Sequence, residues 1–296
     1  MTLQEHIERL RRSIADLKLG EMRFADLGRA GRGYAERALA GLGGLDLGGL
    51  VADLAVGIAF YTRLPLRTAT PVDGAALARA SWCAPLVGAL VGALAGLAYW
   101  IAYRLNLPPL VCATIAIAAG MLLTGCLHED GLADTADGFG GGETRERALE
   151  IMRDGRIGAY GTCALVILLA LRIGTVADLP NARLVVWALI GAHTIARAGL
   201  PLFMLLVPPA RPDGLSAAAG APSRERAAVA AAIGIVLLWV ALGFRSALIA
   251  LVLVLIGATV MAWLTRRKIG GQTGDVLGAV EQVGETLVLL VTAARF

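Results

Sequence analysis

Four runs of the chain, at 83–103, 105–127, 227–244 and 246–265, contain no Asp, Glu, Lys or Arg. Each is as long as the roughly 18–20 residues that an α-helix needs to cross a bilayer. Lipid offers backbone N–H and C=O groups no partner, so such runs must be helices that satisfy their own backbone. Composition agrees: 57% of the 296 residues are hydrophobic and 17% charged, whereas a soluble domain carries about 25% charged residues. The chain reads as an all-α, polytopic membrane bundle. Its formal charge of +4 is loop bias rather than a nucleic-acid footprint, so no nucleic-acid partner is expected. No charged segment with an apolar run directly behind it opens the chain, so no cleavable signal is expected.

Placement of Lys and Arg orients the spans. Eight basic residues between Arg9 and Arg37 put the N-terminus in the cytoplasm. Spans near 83–103 and 107–127 form a first hairpin, 159–177 and 184–207 a second, and 227–244 and 246–265 a third. A seventh, near 276–294, is apolar except for Glu281 and Glu285, while 50–61 reads as interfacial or re-entrant. Loops 128–158 and 208–226 and the triplet Arg266, Arg267, Lys268 are basic and inside. Arg104, Arg183 and Arg245 mark the outer connections, with Arg172 near an outer end. Gly88, Gly92 and Gly96 recur every fourth residue and would let another helix approach closely. Residues 1–50 stand apart from the membrane-embedded domain, 51–296. There Leu3, Ile7, Leu10, Ile14 and Leu17 alternate spacings of four and three. That is a short amphipathic helix, suited to the membrane surface or to a second copy of the chain, as in a homo-oligomer.

One stretch breaks the apolar pattern. "TGCLHEDGLADTADGFGGG", 124–142, gathers Glu129, Asp130, Asp134 and Asp137 within nine residues. In a helix, Asp130, Asp134 and Asp137 at i, i+4 and i+7 share one face. Converging carboxylate oxygens suit a hard divalent cation, Mg²⁺ above all, which takes a few carboxylates together with phosphate oxygens and water. The glycines behind them allow backbone to approach a ligand. His128, Glu129 and the aspartates all qualify as a general base. The spacing excludes a zinc HExxH site, because position 132 is Leu132, and no P-loop motif exists.

Two further polar islands follow. In "RERALEIMRDGRIGAYG", 145–161, Arg153 and Arg156 flank Asp154 and suit phosphate oxygens. In "GGQTGDVLGAVEQVGE", 270–285, Thr273 and Asp275 open the last helix, either as anion-binding groups or as plain caps. All three islands fall on one membrane face and are expected to converge. Within the spans, Arg197 lies one turn from His193. It must pair with a carboxylate such as Glu281 or Glu285, or else line a polar cavity that opens toward the acidic stretch; the cavity is favoured, with Arg197 touching substrate there.

Together these blocks, with "FYTRLPL" at 60–66 and "PLVGALVGAL" at 85–94, resemble the cobalamin synthase (adenosylcobinamide-GDP ribazoletransferase) family from about residue 50 to the C-terminus. The resemblance implies a Mg²⁺-dependent, multi-pass enzyme of the bacterial inner membrane with a cytoplasmic active site. Its substrates would be adenosylcobinamide-GDP and α-ribazole or α-ribazole 5′-phosphate, a ribose 5′-hydroxyl displacing GMP. Glu129, Asp130, Asp134 and Asp137 would hold metal, and Arg153, Arg156, Arg197, Thr273 and Asp275 would bind substrate. A CDP-alcohol phosphotransferase fits less well, since Asp134 takes the place of that family's Arg. An ion-coupled transporter would place its carboxylates near the bilayer midplane.

Overall fold

The computed structural model describes residues 46–294 except 67, 69 and 70. The expected N-terminal amphipathic helix lies outside these. Among the described residues regular structure is helical, save one isolated bridge between Pro209 and Gln272. Helix α1 (Leu47–Tyr61) is followed by α2 (Gly74–Ala80), which runs through a 3₁₀ turn into α3 (Ala84–Arg104). Next come α4 (Pro109–Thr124), α5 (Leu127–Gly141), α6 (Arg145–Ile151), α7 (Ala159–Asp178), α8 (Ala182–Ala198) and α9 (Leu200–Leu206). The chain closes with α10 (Leu215–Ala219), α11 (Arg224–Leu242), α12 (Phe244–Ile269) and α13 (Gly274–Ala293).

Among the described residues six segments are long and apolar enough to cross a membrane: Gly74–Arg104, α7, α8 with α9, α11, α12 and α13. The expected span at 107–127 is not one straight helix. Gly125 (φ 64°) and Cys126 (φ 58°) are both left-handed, so α4 stops at Thr124 and the chain turns by 89° into α5. Left-handed Gly after the last helical residue is an ordinary stop signal; the second left-handed residue makes the corner sharp. Counting the bent pair as a seventh span gives the upper end of the expected range. The acidic stretch is therefore a helix, α5, and not a loop. The final segment, despite its two glutamates, is the most enclosed span: 72% of α13 is buried, against 11% of α12. α13 is the centre of the bundle and α12 its lipid-facing wall.

Small residues bring α3 onto α8. A Cβ on Gly92 would lie 2.5 Å from the Leu189 carbonyl oxygen, and one on Gly96 3.1 Å from the Val186 Cα. Gly88 meets the His193 backbone in the same way. The glycine stripe does what its spacing predicts. α1 is held differently: its buried Asp53 accepts from Trp82 Nε1 at 3.0 Å and Arg226 Nη1 at 3.1 Å.

Between α5, α7, α8 and α13 lies a buried ionic network. Arg172 Nη1 donates to Glu129 Oε1 at 3.1 Å and to Gln282 Oε1 at 2.8 Å, and Nη2 pairs with Glu285. Arg197 Nη1 sits 2.5 Å from Glu281 Oε1, and His193 Nδ1 2.9 Å from Glu285 Oε2. All of these side chains are nearly inaccessible. Two expectations are corrected. Arg172, expected near an outer end, does not face outward there but is enclosed in the bundle, because three partners replace its water. Arg197 takes the ion-pair alternative, with Glu281, and does not line a polar cavity. Three carboxylates face two guanidiniums, so neutrality requires one further proton, shared among His193 and the carboxylates.

Removing one partner of a buried pair costs about 3–5 kcal/mol, since a bare charge remains. Arg172→Leu should therefore lower the thermal unfolding temperature of detergent-purified protein sharply. Gly92→Val should do so too, by forcing α3 from α8. Unchanged melting in both would contradict this packing.

Candidate active site

The three polar islands meet on one side of the bundle. Gly131 on α5 packs against Asp275: a Cβ there would lie 2.7 Å from the Asp275 carbonyl oxygen and 3.2 Å from the Gly278 Cα. Two glycines thus let the acidic helix cross the start of α13 at backbone contact. The second island joins through Asp137, whose oxygens accept from Gly158 N at 2.7 Å and Gly161 N at 2.9 Å. These are unsatisfied donors at the start of α7, so Asp137 serves as a cap supplied from another helix.

The four expected metal ligands therefore divide. Asp137 accepts from backbone amides and Glu129 Oε1 from Arg172 and Gln282, while the buried Glu129 Oε2 has no hydrogen-bond partner among the described residues. Asp130 and Asp134 lie near a further carboxylate, that of Asp275. Asp130 is exposed, Asp134 half-buried. α5 is not among the six spans, and burial pushes the Asp134 carboxyl up to about 7, with the charges of Asp130, Asp275 and Asp137 adding to it. A carboxylate held among like charges is relieved by a cation. The donor set, carboxylate oxygens open to water and substrate, fits Mg²⁺. Among the described residues, the one group of three such side chains whose ligand atoms lie within 4.8 Å of one another is His193, Glu281 and Glu285, so the three aspartates stand further apart than that. In that group Arg172 and Arg197 already supply the positive charge.

Thr273 is the N-cap of α13: its Oγ1 accepts from Val276 N at 3.3 Å and donates to Asp275 Oδ2 at 3.1 Å. It positions Asp275 and is itself buried. Arg153 pairs with Asp213 at 2.6 Å and Arg156 with its neighbour Asp154 at 2.6 Å, all exposed. Arg156 holds the Asp154 carboxyl below its usual range. Such surface pairs bind weakly and exchange readily with a better anion.

The sequence reading missed Arg211. Residues 208–210 pair with 272 through Gln272 N→Pro208 O and Ala210 N→Gln272 O, both 2.8 Å. Arg145 fastens this strap by donating to Ala210 O at 2.6 Å and Ile269 O at 2.8 Å. Arg211 Nη2 is thereby set 4.0 Å from Asp275 Oδ2, while its buried Nη1 has no hydrogen-bond partner among the described residues. A guanidinium nitrogen shielded from water without an acceptor is poised for an anion. No local pattern reveals this, because the strap's partner, Gln272, is remote in sequence from Pro208 and Ala210.

Beside Asp130 and Asp275 opens a cavity of about 260 Å³, walled mainly by apolar side chains of α1, α2, α9 and α13. His128 lines it and stacks on Tyr61, with centroids 6.0 Å apart and planes at 20°. Arg197 Nη2 lies 3.3 Å from His128 Nδ1. Arginine only donates, so Nδ1 accepts and the neutral ring keeps its proton on Nε2. His128 then offers the cavity a donor, which leaves proton acceptance to the carboxylates.

The sequence is similar to those of known proteins. The profile of the cobalamin-5-phosphate synthase family matches residues 53–293. An adenosylcobinamide-GDP ribazoletransferase of Bradyrhizobium diazoefficiens is 54% identical over 245 residues, 83% of this chain and 94% of its own. Relatives of that name in Mesorhizobium japonicum and Azorhizobium caulinodans are 45% and 46% identical, over 82% and 81% of this chain and 93% and 95% of theirs. No solved structure matches the chain. With the acidic helix, its arginine strap and the helix start that faces them all inside the matched region, this chain belongs to the cobalamin-5-phosphate synthase family.

Proposed function

We propose that the chain transfers the cobinamide phosphate of adenosylcobinamide-GDP to α-ribazole or its 5′-phosphate, releasing adenosylcobalamin or its phosphate and GMP. The observation that carries this reading is the pairing of opposite needs at one place. Asp130, Asp134 and Asp275 call for a cation, and Arg211, with a buried unpartnered nitrogen, calls for an anion. A Mg²⁺-bound pyrophosphate meets both. Asp130, Asp134 and Asp275 would hold the ion, which supplies charge neutralisation of the pyrophosphate oxygens. Arg211 donates to a phosphate oxygen, and Arg153 and Arg156 can leave their exposed partners to do the same. Arg197, closed into its pair with Glu281, positions His128 and does not touch substrate.

An acceptor hydroxyl attacks the phosphorus attached to the corrinoid side, and the phosphorus–oxygen bond to GMP breaks in line. The hydroxyl proton passes to a carboxylate, Asp130 being the more exposed of the two, with Asp275, that line the cavity. Where the acceptor already carries phosphate on O5′, as a cobalamin 5-phosphate product requires, the attacking oxygen is another ribose hydroxyl. Such transfer relies on positioning and charge stabilisation more than on covalent chemistry. The Lys and Arg bias supports an active site on the cytoplasmic side of a bacterial inner membrane.

Incubating the purified protein with both substrates and Mg²⁺ should release GMP. Asp130→Asn and Asp134→Asn should each reduce release to background while melting normally; full activity in both would sink the metal reading. Arg211→Ala should lower kcat about 10²–10³-fold, as for removal of one charge-stabilising donor. A change confined to thermal stability would make Arg211 a strap residue only. Because a proton on Asp134 competes with the ion, the Mg²⁺ needed for half-maximal rate should rise as pH falls through about 7. A flat requirement between pH 6 and 8 would contradict that assignment.

A further inference from the structure

We propose that the cavity beside Asp130 seats the methylated benzimidazole base of the acceptor nucleoside; this rests on the transferase reading. Four ring systems take part in that reaction: the corrin, guanine, the adenine of the adenosyl group, which has a polar edge as guanine does, and the acceptor's base. The cavity discriminates among them. At about 260 Å³ it falls just below the roughly 300–1,000 Å³ of common small-molecule sites. A corrin ring with its side chains far exceeds that. Guanine would fit by size, but it carries a polar edge of donors and acceptors that must be matched when buried. Most of the wall offers no match: Phe60, Leu77, Leu200, Met204 and Leu277 are apolar. A dimethylbenzimidazole is planar, has no exocyclic donor, and would present only methyl and ring carbon to that wall.

Polar groups are placed where the rest of a nucleoside needs them. Asp130 and Asp275 belong to the same lining, so a base in the apolar part leaves its ribose beside the carboxylates. Tyr61 and His128, near-parallel at 20°, provide an aromatic surface on which a flat ring can stack. The donor left on His128 Nε2 suits either an imidazole-type nitrogen of the base or a ribose oxygen. The donor's pyrophosphate lies toward Arg211, which is not among the cavity's lining residues, so both substrates can be present together.

The test uses acceptor nucleosides with and without the two ring methyls, and the variants Ala78→Phe, which fills the cavity from α2, and Met204→Ala, which widens it. In the wild type, loss of both methyls should raise the acceptor KM about tenfold, from the area they bury. Ala78→Phe should raise the KM of the methylated acceptor about tenfold or more while the KM of the GDP-activated corrinoid stays within about twofold. Met204→Ala should shrink the methyl preference, and it keeps the test alive if Ala78→Phe does not fold. An unchanged acceptor KM and methyl preference in both variants would overturn the proposal, as would a shift in the donor KM alone. Equilibrium dialysis of the nucleoside against wild type and Ala78→Phe reads the cavity separately from turnover. Absent turnover with intact, Ala78-sensitive nucleoside binding would reject the transferase reading and keep the cavity assignment. Were the cavity a lipid site, Ala78→Phe would lose co-purified phospholipid and bind nucleoside as before, which also overturns it.

Discussion

Charge buried away from water must be paired, and in this bundle that requirement ties four helices together. Arg172 on α7 and Arg197 on α8 are 1% exposed, and between them they engage Glu129 on α5 and Glu281 and Glu285 on α13. Each helix brings a charge that it could not keep in an apolar environment alone. Such networks give little net stability over a well-packed apolar core, but they punish any arrangement that breaks them. Their effect is therefore on register: α5, α7, α8 and α13 fit together in one way.

That register is what the active site uses. Glu129 and Asp130 are adjacent on α5; with Glu129 drawn inward to Arg172, Asp130 is turned outward to the cavity. Asp137, two turns on, closes the same helix against the start of α7. On α13, Glu281 and Glu285 anchor the helix two turns below Asp275, so the start of that helix is presented at a fixed height. Asp130, Asp134 and Asp275, the carboxylates proposed to hold the ion, are left out of the buried network and remain underneutralised. His128 stands between the two regions, touching Arg197 on one side and the cavity on the other.

Much of this was legible in the sequence, and the failures share a cause. The uncharged runs, the glycine stripe of α3 and the convergence of three polar islands follow from period and hydropathy, which are local. The spacing of Asp130, Asp134 and Asp137 correctly gives a helix face. It cannot say that α7 begins opposite Asp137, which makes that carboxylate a cap for the start of α7. Likewise hydropathy cannot tell an Arg near a span's end from one enclosed by carboxylates 43 and 113 residues away, as Arg172 is. Arg211 was overlooked because its setting depends on a two-residue pairing of its strap with Gln272. In each case the missing information was a tertiary partner, not a residue type.

The central claim is that the underneutralised carboxylates, and not the deeper His–Glu cluster, form the metal centre. Anomalous scattering from crystals grown with Mn²⁺ in place of Mg²⁺ tests it most directly. A peak bounded by Asp130, Asp134 and Asp275, on the side facing Arg211, is the predicted result. A peak among His193, Glu281 and Glu285, with none at the aspartates, would contradict the account.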